Sequence, residues 1–255
     1  MNSKDVELEL LKKSDKEKAK FSQGFFKTGK GEYGEGDIHL GIKVPIVREI
    51  AKEFYGLNLE ELQKLLESPI HDCRQIALFI LIKKYETLKK QKSQNKNELQ
   101  EIKKSKKEIF DFYLKNTENI NNWDLVDLSA PNIIGDYLLD KKSERKVLYK
   151  LAKSNKKGRN GFCWLWEKRI AILATFAFIK NNEFEDTLKL AEQYLTEKHD
   201  LMHKASGWAL REVGKKDEKV LIQFLDKHVK EMPRTMLRYS IERLNEKKRK
   251  YYLEK

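Results

Sequence analysis

The chain has 255 residues, 40% of them hydrophobic, which is enough to bury a sizeable core and excludes a wholly disordered protein. Twelve glycines and four prolines are too few for the many tight turns of a sandwich or barrel of short strands, so composition favours helices. A net charge of +13 points to a polyanionic partner, although residues 83–107 alone hold ten lysines against three glutamates and carry +7 of that excess.

Apolar residues recur at three- and four-residue spacing almost throughout, and no segment alternates with period two for long enough to predict a strand. The N-terminal segment reads as helix up to Phe26. The acidic run Gly29-Lys30-Gly31-Glu32-Tyr33-Gly34-Glu35-Gly36-Asp37 follows it. Its first three glycines match the G-x-G-x-x-G spacing, but a dinucleotide site needs a strand before the glycines and space for a pyrophosphate. A preceding helix and the charges of Glu32, Glu35 and Asp37 make this a loop between helices.

Pro45 opens a helix through Ile46, Val47, Ile50, Ala51 and Phe54 that Gly56 is placed to end. A second runs from about Asn58 to Glu67, where Ser68-Pro69 breaks it. Further helices are predicted near 70–86, 99–115, 122–139, 143–154, 162–181, 184–197, 199–214, 217–230 and 233–247. The Lys-rich stretch at about 89–100 reads as an inserted loop or frayed helix end, and the pattern resumes after it, so one domain over 1–255 is expected. Gln75-Ile76-Ala77-Leu78-Phe79 lines up with Arg169-Ile170-Ala171-Ile172-Leu173, and later helices recur about 35 to 40 residues apart. That period predicts an all-α, HEAT-like helical-repeat solenoid with an extended concave face.

Cys73 and Cys163 sit in apolar, helix-like surroundings and make no disulfide framework, which suits a reducing cytoplasm. The apolar runs Ile76 to Ile82 and Ile170 to Ile179 fall short of the ~20 residues that span a bilayer, and Met1 to Lys13 lacks a signal-peptide core. The expected protein is soluble, without a membrane partner.

Among chemically capable residues, His199 and His203 stand four apart around Asp200. No third ligand is evident, so the pair reads as a helix start rather than a metal site. His39, His71 and His228 are scattered and support nothing specific. The tryptophans carry more: four-residue spacing puts Trp123 and Asp127 on one helical face, and Trp166 with Arg169 and Trp208 with Arg211 share faces at three-residue spacing.

The run His203-Lys204-Ala205-Ser206-Gly207-Trp208-Ala209-Leu210-Arg211-Glu212, with Asn122-Trp123-Asp124-Leu125-Val126-Asp127, Glu167-Lys168-Arg169 and Leu40-Gly41-Ile42-Lys43-Val44-Pro45, resembles the motifs of the AlkD-like DNA alkylation repair family, HEAT-like repeat DNA glycosylases. The Gly-rich acidic loop marks a distinct subgroup, in which that loop closes over DNA, binds another partner or simply joins two helices. The resemblance implies a basic concave cleft in which Trp123, Trp208 and Asp127 line the lesion site and Arg169 holds the DNA backbone. Lys168 and Arg211 are expected to add phosphate contacts. It also implies excision of bases such as 7-methylguanine and 3-methyladenine from double-stranded DNA containing alkylated bases. No metal or organic cofactor is expected, and the enzyme would be a cytoplasmic monomer acting on a bacterial-type nucleoid. The alternative is a catalytically silent HEAT-like module that binds nucleic acid or serves as a scaffold.

Overall fold

The computed structural model describes Met1–Lys255 and is all-helical, with one isolated parallel bridge between Ile38 and Ile70. The chain forms two compact units, Met1–Ser129 with Lys156–Trp166, and Ala130–Asn155 with Glu167–Lys255.

The first unit contains α1 (Ser3–Lys12), α2 (Lys16–Phe25), α3 (Val44–Glu53), α4 (Leu59–Glu67), α5 (His71–Lys90), α6 (Lys96–Lys115) and α7 (Trp123–Ala130, up to Ser129). Side chains that satisfy free backbone N–H groups set the helix starts: Asn2 for α1, Asp15 for α2, Asn58 for α4 and Asn95 for α6. Helix α5 is the centre of this unit, because everything from His71 to Leu81 on it is buried, polar residues included. Val6 and Leu10 of α1, Val47 and Ile50 of α3, and Leu62, Leu65 and Leu66 of α4 complete the apolar core. Each such side chain contributes roughly 1.5–3 kcal/mol on burial. Helix α2 buries none of its residues. It is held instead by backbone contact: Asp15 N–H donates to the Leu40 carbonyl at 2.9 Å. Gly41, at φ +74°, has no space for a Cβ, which would fall 2.4 Å from both the Asp15 oxygen and the Ala19 nitrogen.

The second unit contains α8 (Asp136–Leu138), α9 (Lys146–Ala152), most of α10 (Cys163–Ala174), α11 (Phe176–Lys180), α12 (Glu185–Gln193), α13 (Asp200–Lys216), α14 (Glu218–His228), α15 (Arg234–Ser240) and α16 (Glu246–Glu254). Helix α13 packs on α11, α12, α14 and α15. Its Leu210 joins Leu221, Phe224 and Leu225 of α14 and Met236 and Leu237 of α15 in one buried cluster. The approach of α15 depends on Gly207, where a Cβ would stand 2.5 Å from the Met236 carbonyl oxygen and from Tyr239 Cβ. Gly207→Ala is therefore expected to push α15 away and to cost about 1–3 kcal/mol, read as a fall in the thermal midpoint. An unshifted midpoint would show that α15 gives way freely.

The helical stretch read as 122–139 is interrupted by a π-helical turn at Pro131–Gly135, and 162–181 is divided at Thr175. Thr175 N–H and its hydroxyl both bond the Ile172 carbonyl, a tightened turn that separates α10 from α11. The segment 233–247 holds two helices, since Asn245 caps a new one.

Candidate active site

Helix α7 carries the Trp-Asp-Leu-Val-Asp motif. Its entry is fixed by the buried Asn122, whose side-chain oxygen accepts from Trp123 N–H at 2.8 Å and whose Nδ2 donates to the Phe26 carbonyl at 3.4 Å. Phe26 stacks on the Trp123 ring at 5.4 Å and 20°, while Phe25 meets it edge-on at 5.8 Å and 78°. Trp123 and Asp127, on neighbouring turns of α7, are both half-buried. Asp127 also lies near the phenol of Tyr113, which donates to or accepts from Ser129 at 2.8 Å. Burial first, and the Asp127 charge last, push the Tyr113 hydroxyl upward from its ordinary range.

Asp124, between the motif's two outer residues, points inward. Its Oδ2 lies 2.8 Å from His71 Nε2 and accepts from Gln75 Nε2 at 3.2 Å. The other His71 nitrogen faces Asp37 Oδ2 at 3.7 Å, and that oxygen is 2.6 Å from Arg74 Nη2. Asn121 Nδ2 donates to both Asp37 oxygens, at 3.1 and 3.2 Å. His39 stacks on His71 at 4.3 Å, and Phe26 stacks on His39 at 4.6 Å, so an unbroken stack runs from His71 to Trp123. Burial would lower the His71 pKa, but Asp124 and Asp37 outweigh it and raise it to about 9. Burial, reinforced by the His71 charge, depresses His39 to about 3. Asp37 itself is lowered: burial opposes ionisation, and His71 and Arg74 overcome it.

Asp37, His39 and His71 bring three potential metal ligands within 4.8 Å of one another. The carboxylate is already neutralised by the Arg74 guanidinium, and His71 lies between two carboxylates as a cation. The set reads as a charge network with no place for a further cation. His199 and His203 do not converge either: His199 caps α13 through Nδ1, which accepts from Leu201 N–H, and His203 Nε2 lies 2.6 Å from the Glu197 carbonyl.

In the second unit, Trp208 is half-buried, donates from Nε1 to Glu212 at 3.2 Å and meets Phe176 edge-on at 4.8 Å. Arg169 is buried and donates to the Leu201 carbonyl at 2.7 Å, fixing the first turn of α13. Lys168 pairs with Glu197 at 2.6 Å. Arg211 pairs with Glu242. Trp166, grouped with Arg169 by spacing, is fully buried and meets Tyr33 edge-on at 5.5 Å within the first unit, as a core residue.

The profile of the DNA alkylation repair enzyme family matches residues 6–244. The chain belongs to that family. Among solved structures, the chain is similar to one from Enterococcus faecalis described as "Predicted DNA alkylation repair enzyme", with a TM-score of 0.65 and 14% identity over 92% of this chain and 98% of that one. At that identity the likeness shows the fold, an all-α helical-repeat architecture. No curated protein matches the sequence. Membership implies a role in alkylation repair and DNA as the partner, and no helix is long and apolar enough to cross a membrane.

Motif spacing assigns no role to Asp37, His71, Arg74, Asn121 or the Phe25-Phe26 pair. The Gly-rich run is also more than a joint. Glu32 and Glu35 accept from the Gly29 and Gly31 N–H groups, Asn160 Nδ2 donates to the Tyr33 carbonyl at 2.6 Å, and Asp37 enters the charge network. The loop is tied at both Tyr33 and Asp37.

Proposed function

We propose that the protein is a monofunctional DNA glycosylase that excises cationic alkylated purines, of the 7-methylguanine and 3-methyladenine type, from duplex DNA in base excision repair. The observation that carries this reading is the half-buried carboxylate of Asp127 one turn along α7 from the half-buried indole of Trp123, in a member of an alkylation repair family. A scaffold has no use for that carboxylate.

The chemistry needs few groups. A purine alkylated at N7 of guanine or N3 of adenine is cationic, so when its bond to C1′ breaks, both bonding electrons leave with a neutral base and no general acid is required. The deoxyribose becomes an oxocarbenium ion. Asp127 stabilises that charge and orients the water whose oxygen attacks C1′, the water's proton passing to the carboxylate or to solvent. The faces of Trp123 and Trp208 favour the same cation. Lys168, Arg169 and Arg211 are assigned to the DNA backbone, with Arg211 exchanging Glu242 for phosphate. A bacterial-type cytoplasm and a monomer complete the reading.

Release of free methylated base from methylated duplex DNA by the purified protein tests it. Release of 7-methylguanine is expected, whereas hypoxanthine, which leaves poorly without protonation, should be released hardly at all. Absence of any release, with tight and salt-sensitive DNA binding intact, would favour the second reading, a catalytically silent nucleic-acid-binding module. The Phe26 ring already stacked on Trp123 is the observation on its side.

A further inference from the structure

The glycosylase reading gives Trp123 and Asp127 their roles but leaves unexplained why the family motif includes Asp124, which faces the interior, and why a charged network is buried beneath α7. We infer that His71 is a positioning residue: its ring, set between Asp37 of the Gly-rich loop and Asp124 of α7, ties that loop to the helix bearing Trp123 and Asp127 and fixes how both residues are presented. The inference rests on the proposed glycosylase function for its catalytic consequence, and on geometry for the rest.

Three observations support it. His71 is 3% exposed, yet its two ring nitrogens reach carboxylates on segments far apart in sequence, Asp124 at 2.8 Å and Asp37 at 3.7 Å. Each carboxylate is held by a second partner, Asp124 by Gln75 and Asp37 by Arg74 and Asn121, so neither is free to swing away from the ring. From the ring, the stack through His39 and Phe26 ends on the Trp123 indole, giving α7 a second attachment on its solvent side. Helix α7 has only eight residues. Leu125, Val126 and Ser129 seat the helix in the core, and these anchors fix its first turn, which carries Trp123 one turn before Asp127; a displacement of about 1 Å at a reacting group is enough to cost on the order of 100-fold in rate.

The charges around the ring are accounted for from every side. Helix α5 contributes Asp72, Arg74 and Gln75, the loop contributes Asp37 and His39, and the α7 entry contributes Asn121 and Asp124. Arg159 acts from the 156–162 segment on Arg74. Two carboxylates directly against one ring and a single guanidinium beyond them keep the ring a cation through neutral pH.

The test follows the Trp123 indole N–H signal, one of only four tryptophan signals in the protein, identified by its loss in Trp123→Phe. In the wild type it is expected to shift between pH 8 and 10 together with the His71 ring signals, about an apparent pKa near 9. In His71→Gln the shift disappears. In the same variant, single-turnover release of 7-methylguanine is expected to fall at least tenfold while the duplex Kd stays within about twofold, and Asp37→Asn should show a milder form of both effects. A Trp123 signal indifferent to pH and to His71→Gln, or excision that falls only in step with the folded fraction, would overturn the inference. Uptake of Zn(II) by the wild type that abolishes the ring titration would also overturn it. If the wild type releases no methylated base, the glycosylase reading fails, and the indole and ring signals still decide whether His71 positions α7. The measurement on the wild type alone settles the point if His71→Gln does not fold.

Discussion

Asp127→Asn is expected to lower single-turnover release of 7-methylguanine by about 100-fold or more while leaving duplex affinity within a few-fold of the wild type. The substitution keeps the size and planarity of the side chain and removes only its charge. Binding draws on many phosphate contacts, so one anionic side chain fewer does not weaken it. The transition state differs, because the sugar carries positive charge only as the bond breaks. An interaction made only there lowers the rate and not the ground-state affinity when it is lost. A factor of 100 corresponds to about 2.7 kcal/mol, within the range measured when one preorganised electrostatic partner is removed from an active site. Asp127 is half-buried, so the folded state should tolerate the amide, and the thermal midpoint serves as the control. A variant that excises as fast as the wild type would show the carboxylate idle. One that also loses DNA affinity would place Asp127 in α7 packing instead of the reaction.

The all-helical architecture was legible because the apolar spacing in α3, α4, α5 and α13 is nearly continuous, and polar caps such as Asn58 and Asp217 stand where helices begin. The Lys-rich insert was less so. Most of residues 89–100 lies at the ends of α5 and α6, and only residues 91–95 lie between the two helices. Lysine and glutamate are good helix formers, and Asn95 accepts from the Asn97 and Glu98 N–H groups to start α6. Of the two readings the composition allows, loop or frayed helix end, the second describes most of the stretch. The division at Thr175 leaves no such trace, because the apolar pattern continues through it while the backbone bonding changes, whereas that at Pro131–Gly135 has its signal in Pro131, which lacks the N–H a continuous helix needs.

Within the candidate site, the helical pairing of Trp123 with Asp127 was plain from spacing, since four residues on one helix need no tertiary knowledge. The network beneath it was not. Asp37, His71, Arg74 and Asp124 lie on three segments, and no local pattern links the acidic loop to the start of α5. The nearest sequence signal was the run His71-Asp72-Cys73-Arg74 leading into a strongly apolar helix, where charged groups buried among apolar ones demand partners from elsewhere. The three acidic residues of the loop look alike in the sequence, whereas Glu32 and Glu35 close the loop on itself and only Asp37 goes inward.

The two stacked histidines should give the protein a stability maximum near pH 6.5, falling on both sides. His71 has a pKa of about 9 in the folded protein against 6.5 for an unperturbed imidazole, so the folded state binds the extra proton between those values. Its stabilising contribution is complete below pH 6.5 and is lost as pH rises through 9. His39 works in reverse. Its folded pKa of about 3 means that the unfolded chain takes up the proton between pH 6.5 and 3, so its contribution is complete above 6.5 and is lost as pH falls toward 3. Asp37, lowered from 3.8, adds to the acid limb, and Asp72, raised by burial, subtracts from it. His71 carries up to about 3 kcal/mol over its window and His39 up to about 5 kcal/mol over its wider one, since one pKa unit is worth about 1.4 kcal/mol. Urea midpoints measured from pH 4 to pH 9.5 should therefore trace a dome. His39→Phe preserves the stack between Phe26 and His71 and should flatten the acid side, while His71→Gln should flatten the alkaline side at a lower overall level. A midpoint that climbs steadily to pH 9 would mean that His71 is neutral in the fold and that the carboxylates flanking it are neutralised by Arg74 alone.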